Sequence, residues 1–322
     1  MKACLLLFTI ITMPSPVLSA HQHVDFGPLA VRAQAPLQAI GVSTQLRNAA
    51  PWQADHKEVY LAGSFASVWA DSSEYSMDYY QNEIMGGFSF RPANDWKLEM
   101  SYLYRYAADN KLDNLSIAFH DLFNINQNGR EDVAKHRFYI ENKITGQRIE
   151  NFKGEVFNNA VEMYAERLLF STGKQYLSLG GTLYYNHVNN GPFQAASFEQ
   201  ALQVNYTNSL TQQHHLYVNA SITHRDNENF TNIHLKPITT NGGVGYQYRL
   251  DKTHSFLLEL QSHEGESKSD NELSRRVFEF SFGYRFHFNE NNSAIEFTTI
   301  ENLFNHDNST DITFTLGYRK KL

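Results

Sequence analysis

From Phe278 to Phe288 every second residue is aromatic, and small, polar or charged residues alternate with these aromatics. Successive side chains of a β-strand point to opposite faces, so a strand here has one aromatic face and one polar face. A helix, with about 3.6 residues per turn, would mix the two sets. The segment is therefore predicted to be a strand with one strongly apolar face.

The same alternation recurs in eleven further segments of the chain. Some connections between them are short turns, as at 251–253 and 289–291, whereas others, such as 226–237, are longer and polar. Short turns at one end and long loops at the other, with an even number of strands, are typical of a transmembrane β-barrel. The predicted fold class is all-β, an antiparallel up-and-down barrel of about twelve strands. The predicted strands are 57–69, 77–90, 96–106, 157–170, 175–188, 197–209, 214–225, 238–250, 254–262, 274–288, 292–303 and 310–321.

Composition agrees with this class of protein. The 322 residues have a mean hydropathy of −0.47, and 14% of them are aromatic. A barrel has such a polar average because only alternate residues face lipid. After residue 20 no apolar run approaches the roughly 18 residues that a spanning helix requires. A helical membrane protein is therefore excluded.

The first twenty residues have the pattern of a secretory signal peptide. Lys2 precedes an apolar stretch, and small residues follow up to Ala20, so cleavage is predicted after Ala20, or alternatively after Ser19. Cys4, the one cysteine of the chain, lies inside this peptide, so the mature chain is predicted to have no thiol. A secreted barrel is expected in the outer membrane of a Gram-negative bacterium, where its first partners are membrane lipids.

The predicted domains are a signal peptide at 1–20, a non-barrel segment at 21–56 and a barrel at 57–322. Spaced prolines between Pro28 and Pro36 oppose a central strand. Segment 21–56 is therefore predicted to be a plug or a periplasmic strap, with a further strand at 38–47 as the alternative.

Strand parity separates the residues that face lipid from those that face the lumen. Leu202, Val218 and Ile312 are among the predicted lipid-facing residues, whereas the opposite parity carries charges of both signs. These inward charges are interpreted as ion pairs in a solvated wall or against a plug, or alternatively as contacts for a solute. The lumen or ligand candidates are Glu99, Arg105, Glu199, Arg249, Glu259, Glu279, Arg285, His287, Glu296, Arg319 and, from a loop, Arg130, with Glu162, Glu166 and Lys97 on the same inward face.

The long loop at 107–156 begins with apolar residues at helical spacing between Leu112 and Phe123, which predicts a short amphipathic helix. The loop also contains a spaced set of residues, namely Leu112, Asp113, Ile117, Phe119, His120, Phe123, Gln127, Gly129 and Arg130. Together with a Pro-Leu, Arg, Pro-Leu pattern at 28–37, this set resembles an uncharacterised family of unknown function. The resemblance implies a secreted outer-membrane barrel of Gram-negative bacteria and no known activity.

The same loop could also carry chemistry. Ser116 and His120 are four residues apart, with Asp113 one turn earlier, so a helix would place a nucleophile, a base and an orienting acid on one face. Serine hydrolases usually hold the nucleophile on a strained turn rather than on a surface helix. The alternative is that the loop docks into the barrel mouth, where Asp113, His120 and Arg130 make structural hydrogen bonds or contact a ligand.

Other chemistry finds little support in the sequence. The histidines show no metal-ligand spacing, apart from His21 and His23, which would form a weak Cu(II) or Ni(II) site at an N-terminus created by cleavage after Ala20. Without Lys2 the chain has 26 basic and 34 acidic residues and no basic stripe for nucleic acid. No cofactor is predicted.

The predicted function is a narrow channel, transporter or ligand-binding barrel for an unknown small solute. Twelve strands lie between the eight that side chains can fill and the sixteen or more that leave a wide pore. Two alternatives remain: a lipid-modifying hydrolase of the outer membrane using the 112–130 loop, and a structural or surface-interaction barrel without transport. An enzyme is not the favoured interpretation.

Overall fold

The computed structural model describes residues 26–50, 56–112, 135–226, 229–231, 233–269, 272–304 and 306–322. Within these ranges no helix is long and apolar enough to cross a membrane. The strands are β1 (Lys57–Asp71), β2 (Tyr75–Ala93), β3 (Trp96–Ala107), β4 (Tyr139–Asn142), β5 (Gln147–Glu150), β6 (Val156–Ser171), β7 (Gln175–Val188), β8 (Ala195–Ser209), β9 (His214–Arg225), β10 (Asn229–Phe230), β11 (Ile233–His234), β12 (Ile238–Arg249), β13 (His254–His263), β14 (Val277–Phe288), β15 (Ser293–Asn302) and β16 (Ile312–Lys321).

Twelve of these strands form one closed antiparallel barrel, in the order β1-β2-β3-β6-β7-β8-β9-β12-β13-β14-β15-β16. Strand β1 pairs with both β2 and β16, so the barrel has no free edge. The other four strands form two small hairpins, of which β4-β5 extends the sheet from β2. The predicted all-β fold with twelve barrel strands is confirmed.

The strand boundaries follow the alternating pattern closely. Strands β7 and β9 coincide with the predicted segments 175–188 and 214–225. In β6 the alternation fails at Leu168, Leu169 and Phe170. The pairing of β6 with β7 shifts register between Leu168 and Phe170, at the same place.

The two ends of the barrel differ in their connections. At the turn end, where β1 begins, neighbouring strands are joined by segments of two to four residues, as between β2 and β3 or between β14 and β15. At the loop end the connections are mostly longer, and the one between β3 and β6 contains the β4-β5 hairpin. The exception at the loop end is the short turn 72–74, because β1 and β2 continue as a long ribbon above the rest of the wall.

The outer face is apolar, as the parity of the strands predicted. In β14 the outward Phe282 is 40% exposed, whereas the inward Glu279 and Arg285 are buried. The same holds for the outward Leu202 and Val218. The prediction for Ile312 is wrong, because this residue is fully buried at the loop end of β16. There the loop before β16 folds against β1, with Asp71 N donating to Asp307 Oδ1 at 3.1 Å.

Two further expectations need correction. The connection 107–156 is not only loop, because the short alternating pieces at 139–142 and 147–150 pair as a hairpin. The alternative strand at 38–47 is wrong, since that stretch contains the 3-10 helix Gln38–Ile40 and no strand. The amphipathic helix predicted between Leu112 and Phe123 falls almost entirely outside the described residues.

Candidate functional site

Residues 26–50, the lumenal segment, run inside the barrel from the turn end to the loop end and back. At the turn end the ring of Phe26 lies 5.3 Å from Arg319 Cζ, and Arg91 Nη2 donates to Ala50 O at 3.0 Å. At the apex Leu37 packs into an apolar cluster of the loop end. Nearly every residue of the segment is buried. Its two limbs therefore fill the lumen between these levels.

Several N–H groups of the lumenal segment find acceptors on the barrel wall. A buried backbone N–H needs a hydrogen-bond partner, and none of the strands in the described part of the chain pairs with the segment to supply one. Carboxylates that point inward take this role and accept hydrogen bonds that are strengthened by their charge. Leu29 N donates to Glu259 Oε1 at 2.7 Å, Gln34 N and Ala35 N donate to Glu279 Oε1 at 2.9 and 2.7 Å, and Val42 N donates to Glu199 Oε2 at 2.7 Å.

The carbonyl groups of the segment find donors on the same wall. Guanidinium groups and side-chain amides suit this role because they carry several N–H groups. They reach the segment from strands on all sides of the barrel, which holds both limbs in place. Arg285 Nη2 donates to Gly27 O and Arg319 Nη1 to Pro28 O, each at 2.7 Å; Gln81 Nε2 donates to Gln34 O at 2.6 Å, Asn158 Nδ2 to Ile40 O at 2.8 Å, and Gln203 Nε2 and Asn219 Nδ2 to Gln45 O at 2.6 and 3.0 Å.

The segment brings two charges into the middle of the lumen, Arg32 and Arg47, and both are paired with wall carboxylates. Arg32 Nη1 lies 2.7 Å from Glu162 Oε2, and Arg47 Nη1 lies 2.7 Å from Glu99 Oε2. Arg47 also stacks on Tyr164, with Cζ 4.0 Å from the ring centroid. Buried charges are tolerated when they are paired in this way, so the segment and the wall are complementary in charge.

A second group of charges lies on the wall at the turn end. Arg285 Nε is 2.7 Å from Glu296 Oε1, and Arg319 connects Glu296, at 3.4 Å, to Glu58, at 2.6 Å. His287 lies beside this group, where its Nε2 is 3.0 Å from Ser255 Oγ and its ring stacks on Phe26. Besides these ion pairs on the wall, the guanidinium groups of Arg285 and Arg319 also bind carbonyls of the segment.

Inward glycines make room for leucines of the segment. A Cβ atom built on Gly283 would lie 2.5 Å from Leu29 Cδ2, and one built on Gly245 would lie 3.0 Å from Leu46 Cδ1. Both leucines therefore rest in shallow pockets where the wall lacks side chains. Val42 packs in a third apolar group that includes Met85.

The loop end carries an aromatic cluster that covers the apex of the segment. Its rings come from β2, from the start of β6 and from three connections of the loop end, and neighbouring rings such as Phe157 and Phe193 have centroids 4.4 Å apart. Beside it Arg225 bridges Glu199 and the loop residue Glu266, at 3.5 and 2.8 Å. Burial raises the pKa of Glu266 to about 7, although Arg225 acts in the opposite direction.

Two cavities open at this end around the β4-β5 hairpin. One of about 470 Å³ is lined by Asp109, His136 and Lys153, and Asp109 Oδ1 lies 3.0 Å from His136 Nδ1. The other, of about 320 Å³, lies between Ile140 and Ile233. No cluster of three metal-ligating side chains occurs among the residues with described positions.

The sequence of the chain matches a family model described as a protein of unknown function (DUF3187) over residues 4–322. The chain belongs to the DUF3187 family. No curated protein matches it in sequence.

Solved structures resemble the fold of this DUF3187 protein. The COG4313 outer membrane channel from Pseudomonas putida F1 is 10% identical, with a TM-score of 0.56, covering 87% of this chain and 100% of the channel. The NanC porin is 10% identical, with a TM-score of 0.49, covering 82% of this chain and 100% of the porin. The KdgM porin in complex with disordered oligogalacturonate is 7% identical, with a TM-score of 0.46, covering 82% and 98%. At such identities the similarity shows the fold alone.

Most of the predicted lumen candidates in the DUF3187 chain lie together around the lumenal segment. Arg105 is among them, since it pairs with Glu83 and donates to Ala33 O at 3.4 Å. Arg249 is not, because its guanidinium binds the carbonyls of Asp251 and Lys252 in a turn. Whether any of these residues contacts a solute stays a prediction. Several candidates lie outside the described residues, namely the ligand candidate Arg130, the catalytic candidates Ser116, His120 and Asp113, and the weak metal candidates His21 and His23.

Several residues of this site were not predicted from the sequence. Arg32 and Arg47 were not recognised because the segment has no repeat that would assign a face to them. Glu58 and Arg225 have inward parity on their strands, so strand parity could have identified them. The uncharged wall residues Gln81, Asn158, Gln203 and Asn219 also have inward parity, but polar residues on that face are expected for any water-filled barrel.

Proposed function

We propose that this protein is an outer-membrane channel for a small solute, closed in the present state by its lumenal segment. The apolar outer face of a closed barrel favours an outer-membrane location with lipid around it. The predicted signal peptide at 1–20 is consistent with export to that membrane. Similarity in fold to an outer-membrane channel adds support, although it does not identify a solute.

The observation that carries the proposal is how the lumenal segment is held. Every barrel strand is paired on both sides by backbone hydrogen bonds, whereas the segment is held by wall side chains such as Glu279 and Arg285. Water and ions can replace such polar contacts, so the segment can leave without breaking the wall. A twelve-stranded barrel without it would have a narrow aqueous lumen.

A disulfide that ties the segment to the wall tests this proposal. Thr44 Oγ1 and Ser221 Oγ are 2.7 Å apart, so cysteines at both positions are close enough to form a disulfide. The Thr44→Cys, Ser221→Cys variant, in a chain without Cys4, is reconstituted into planar bilayers. We expect no channel openings when it is oxidised and discrete openings after a reducing agent is added.

The matched control places the disulfide within the wall. Ser64 Oγ and Thr315 Oγ1 lie 2.8 Å apart on β1 and β16, also inside the barrel. The Ser64→Cys, Thr315→Cys variant leaves the segment free, so its openings are expected to be the same before and after reduction. Openings of equal size and frequency in the oxidised Thr44→Cys, Ser221→Cys variant would contradict gating by the segment. Silence of every variant, reduced or oxidised, would contradict the channel itself.

A further inference from the structure

We propose that the solute is an extended peptide, and that the lumenal segment occupies the site where such a peptide binds. This inference rests on the proposed channel function and adds the chemical class of the solute. Three features of the contact between wall and segment support it: the wall binds the backbone of the segment, accommodates the side chains of the segment and complements the charge of the segment.

The wall binds both the N–H and the C=O groups of a peptide backbone. Four carboxylates accept backbone N–H groups at five positions of the segment, and arginines and side-chain amides donate to its carbonyls. At Gln34 the wall does both, because Glu279 accepts from its N–H while Gln81 donates to its carbonyl. A peptide unit needs one acceptor and one donor, and this wall supplies both along one path. A hydrocarbon would leave these buried polar groups without partners.

The wall also has places for peptide side chains. Gly283 and Gly245 leave space for leucine side chains at two points along the lumen. Peptide-binding proteins commonly combine backbone hydrogen bonds, which supply affinity, with pockets for individual side chains, which supply specificity. The pockets here are small and apolar, and most other side chains of the segment are short, as at Ala30 and Ala33.

The charge of the wall favours one class of peptide. Residues 26–50 contain two arginines and no acidic residue. Glu162 and Glu99 bind these arginines in the middle of the lumen. An acidic peptide would bring like charges together at both places, whereas a neutral or basic peptide would not. The preferred solute is therefore a neutral or basic peptide with small apolar side chains.

The test uses the barrel without its own segment. A variant lacking residues 26–50 is placed in planar bilayers, and three probes are added: the blocked hexapeptide with the sequence of residues 29–34, the same peptide with glutamate at the position of Arg32, and maltohexaose. We expect the first peptide to interrupt the current, and the acidic peptide to need a concentration at least about tenfold higher. Maltohexaose should leave the current unchanged. If the interruptions shorten as the voltage rises, the peptide passes through.

A wall variant checks that the interruptions come from the site described. Glu162→Gln in the same deletion background should remove most of the discrimination between the two peptides. Thr315→Ala, which alters the wall at its contact with Ser64, should leave the discrimination unchanged. Equal effects of both substitutions would overturn the assignment of the site.

The remaining outcomes separate the peptide proposal from the channel proposal. If the deletion variant conducts and neither peptide interrupts the current, the channel stands and the peptide proposal fails. The peptide proposal also fails if each interruption lasts longer at higher voltage, because the site then holds the peptide without letting it pass through. If the variant does not conduct, fluorescence anisotropy with labelled hexapeptide in detergent decides the binding site separately. Absence of saturable peptide binding in detergent would overturn the proposed binding site.

Discussion

The barrel wall and the lumenal segment are stabilised in opposite ways. In the wall, backbone groups pair with neighbouring strands, so the ladder between β7 and β8 does not depend on which side chains it carries. In the segment, backbone groups pair with side chains that come from distant strands, such as Glu259 and Arg319. Replacing one side chain therefore removes a contact of the segment, whereas a strand keeps its pairing. A stable wall and a releasable segment can thus coexist in one chain.

Deleting residues 26–50 should have the largest effect, because it removes the whole segment and leaves the wall. We expect the barrel to fold, because its strands pair without the segment, and to conduct where the intact chain is mostly closed. Folding is measured by the heat-dependent mobility of the barrel on gels, and conduction in planar bilayers. A deletion variant that fails to fold would show that the wall needs the segment, which would contradict the independence of the wall.

An outward substitution should weaken the wall and leave the segment unaffected. Leu202 faces outward on β8 and is exposed. An arginine on the lipid face costs about 2–4 kcal/mol near the middle of the bilayer, so Leu202→Arg should lower the free energy of unfolding by about that amount. Urea unfolding in lipid vesicles measures it, with Leu202→Val as the control. Each folded channel should open as often as the unsubstituted protein.

An inward substitution should release the segment and leave the stability of the wall unaffected. Glu279 accepts two backbone N–H groups of the segment, and hydrogen bonds to a charged group contribute about 1.5–3 kcal/mol. Glu279→Ala should therefore raise the ratio of open to closed channels by roughly ten- to a hundredfold. Thr315→Ala, also inward, is the control and should leave the ratio unchanged. Equal gating in both variants would mean that Glu279 does not hold the segment.

The smallest effect is expected where the segment touches a glycine. Gly283→Val would crowd Leu29, and such overpacking costs about 1–3 kcal/mol. Opening should increase, and adding Leu29→Ala should restore much of the closed state because the space is returned. The double-mutant cycle of opening frequencies measures the coupling. Additive effects of the two substitutions would show that the contact does not contribute to closure.

Much of the wall could be predicted from the sequence, and much of the site could not. The boundaries of β7 and β9 were predicted to the residue because alternation is a local pattern with a fixed period. The hairpin β4-β5 was missed because its strands are only four residues long. The burial of Ile312 was missed because parity gives a side of the sheet and does not reveal a loop folded over that side.

The sequence by itself determined the alternating strands, the apolar outer face and the charged inner face, since each depends only on neighbouring residues. The tertiary structure decided how those inner charges are used. Glu259 and Leu29 are 230 positions apart, and Arg32 and Glu162 are 130 apart, so no local pattern connects them. Only closure of the barrel brings them to one lumen, where burial requires each backbone group and each charge of the segment to find a partner.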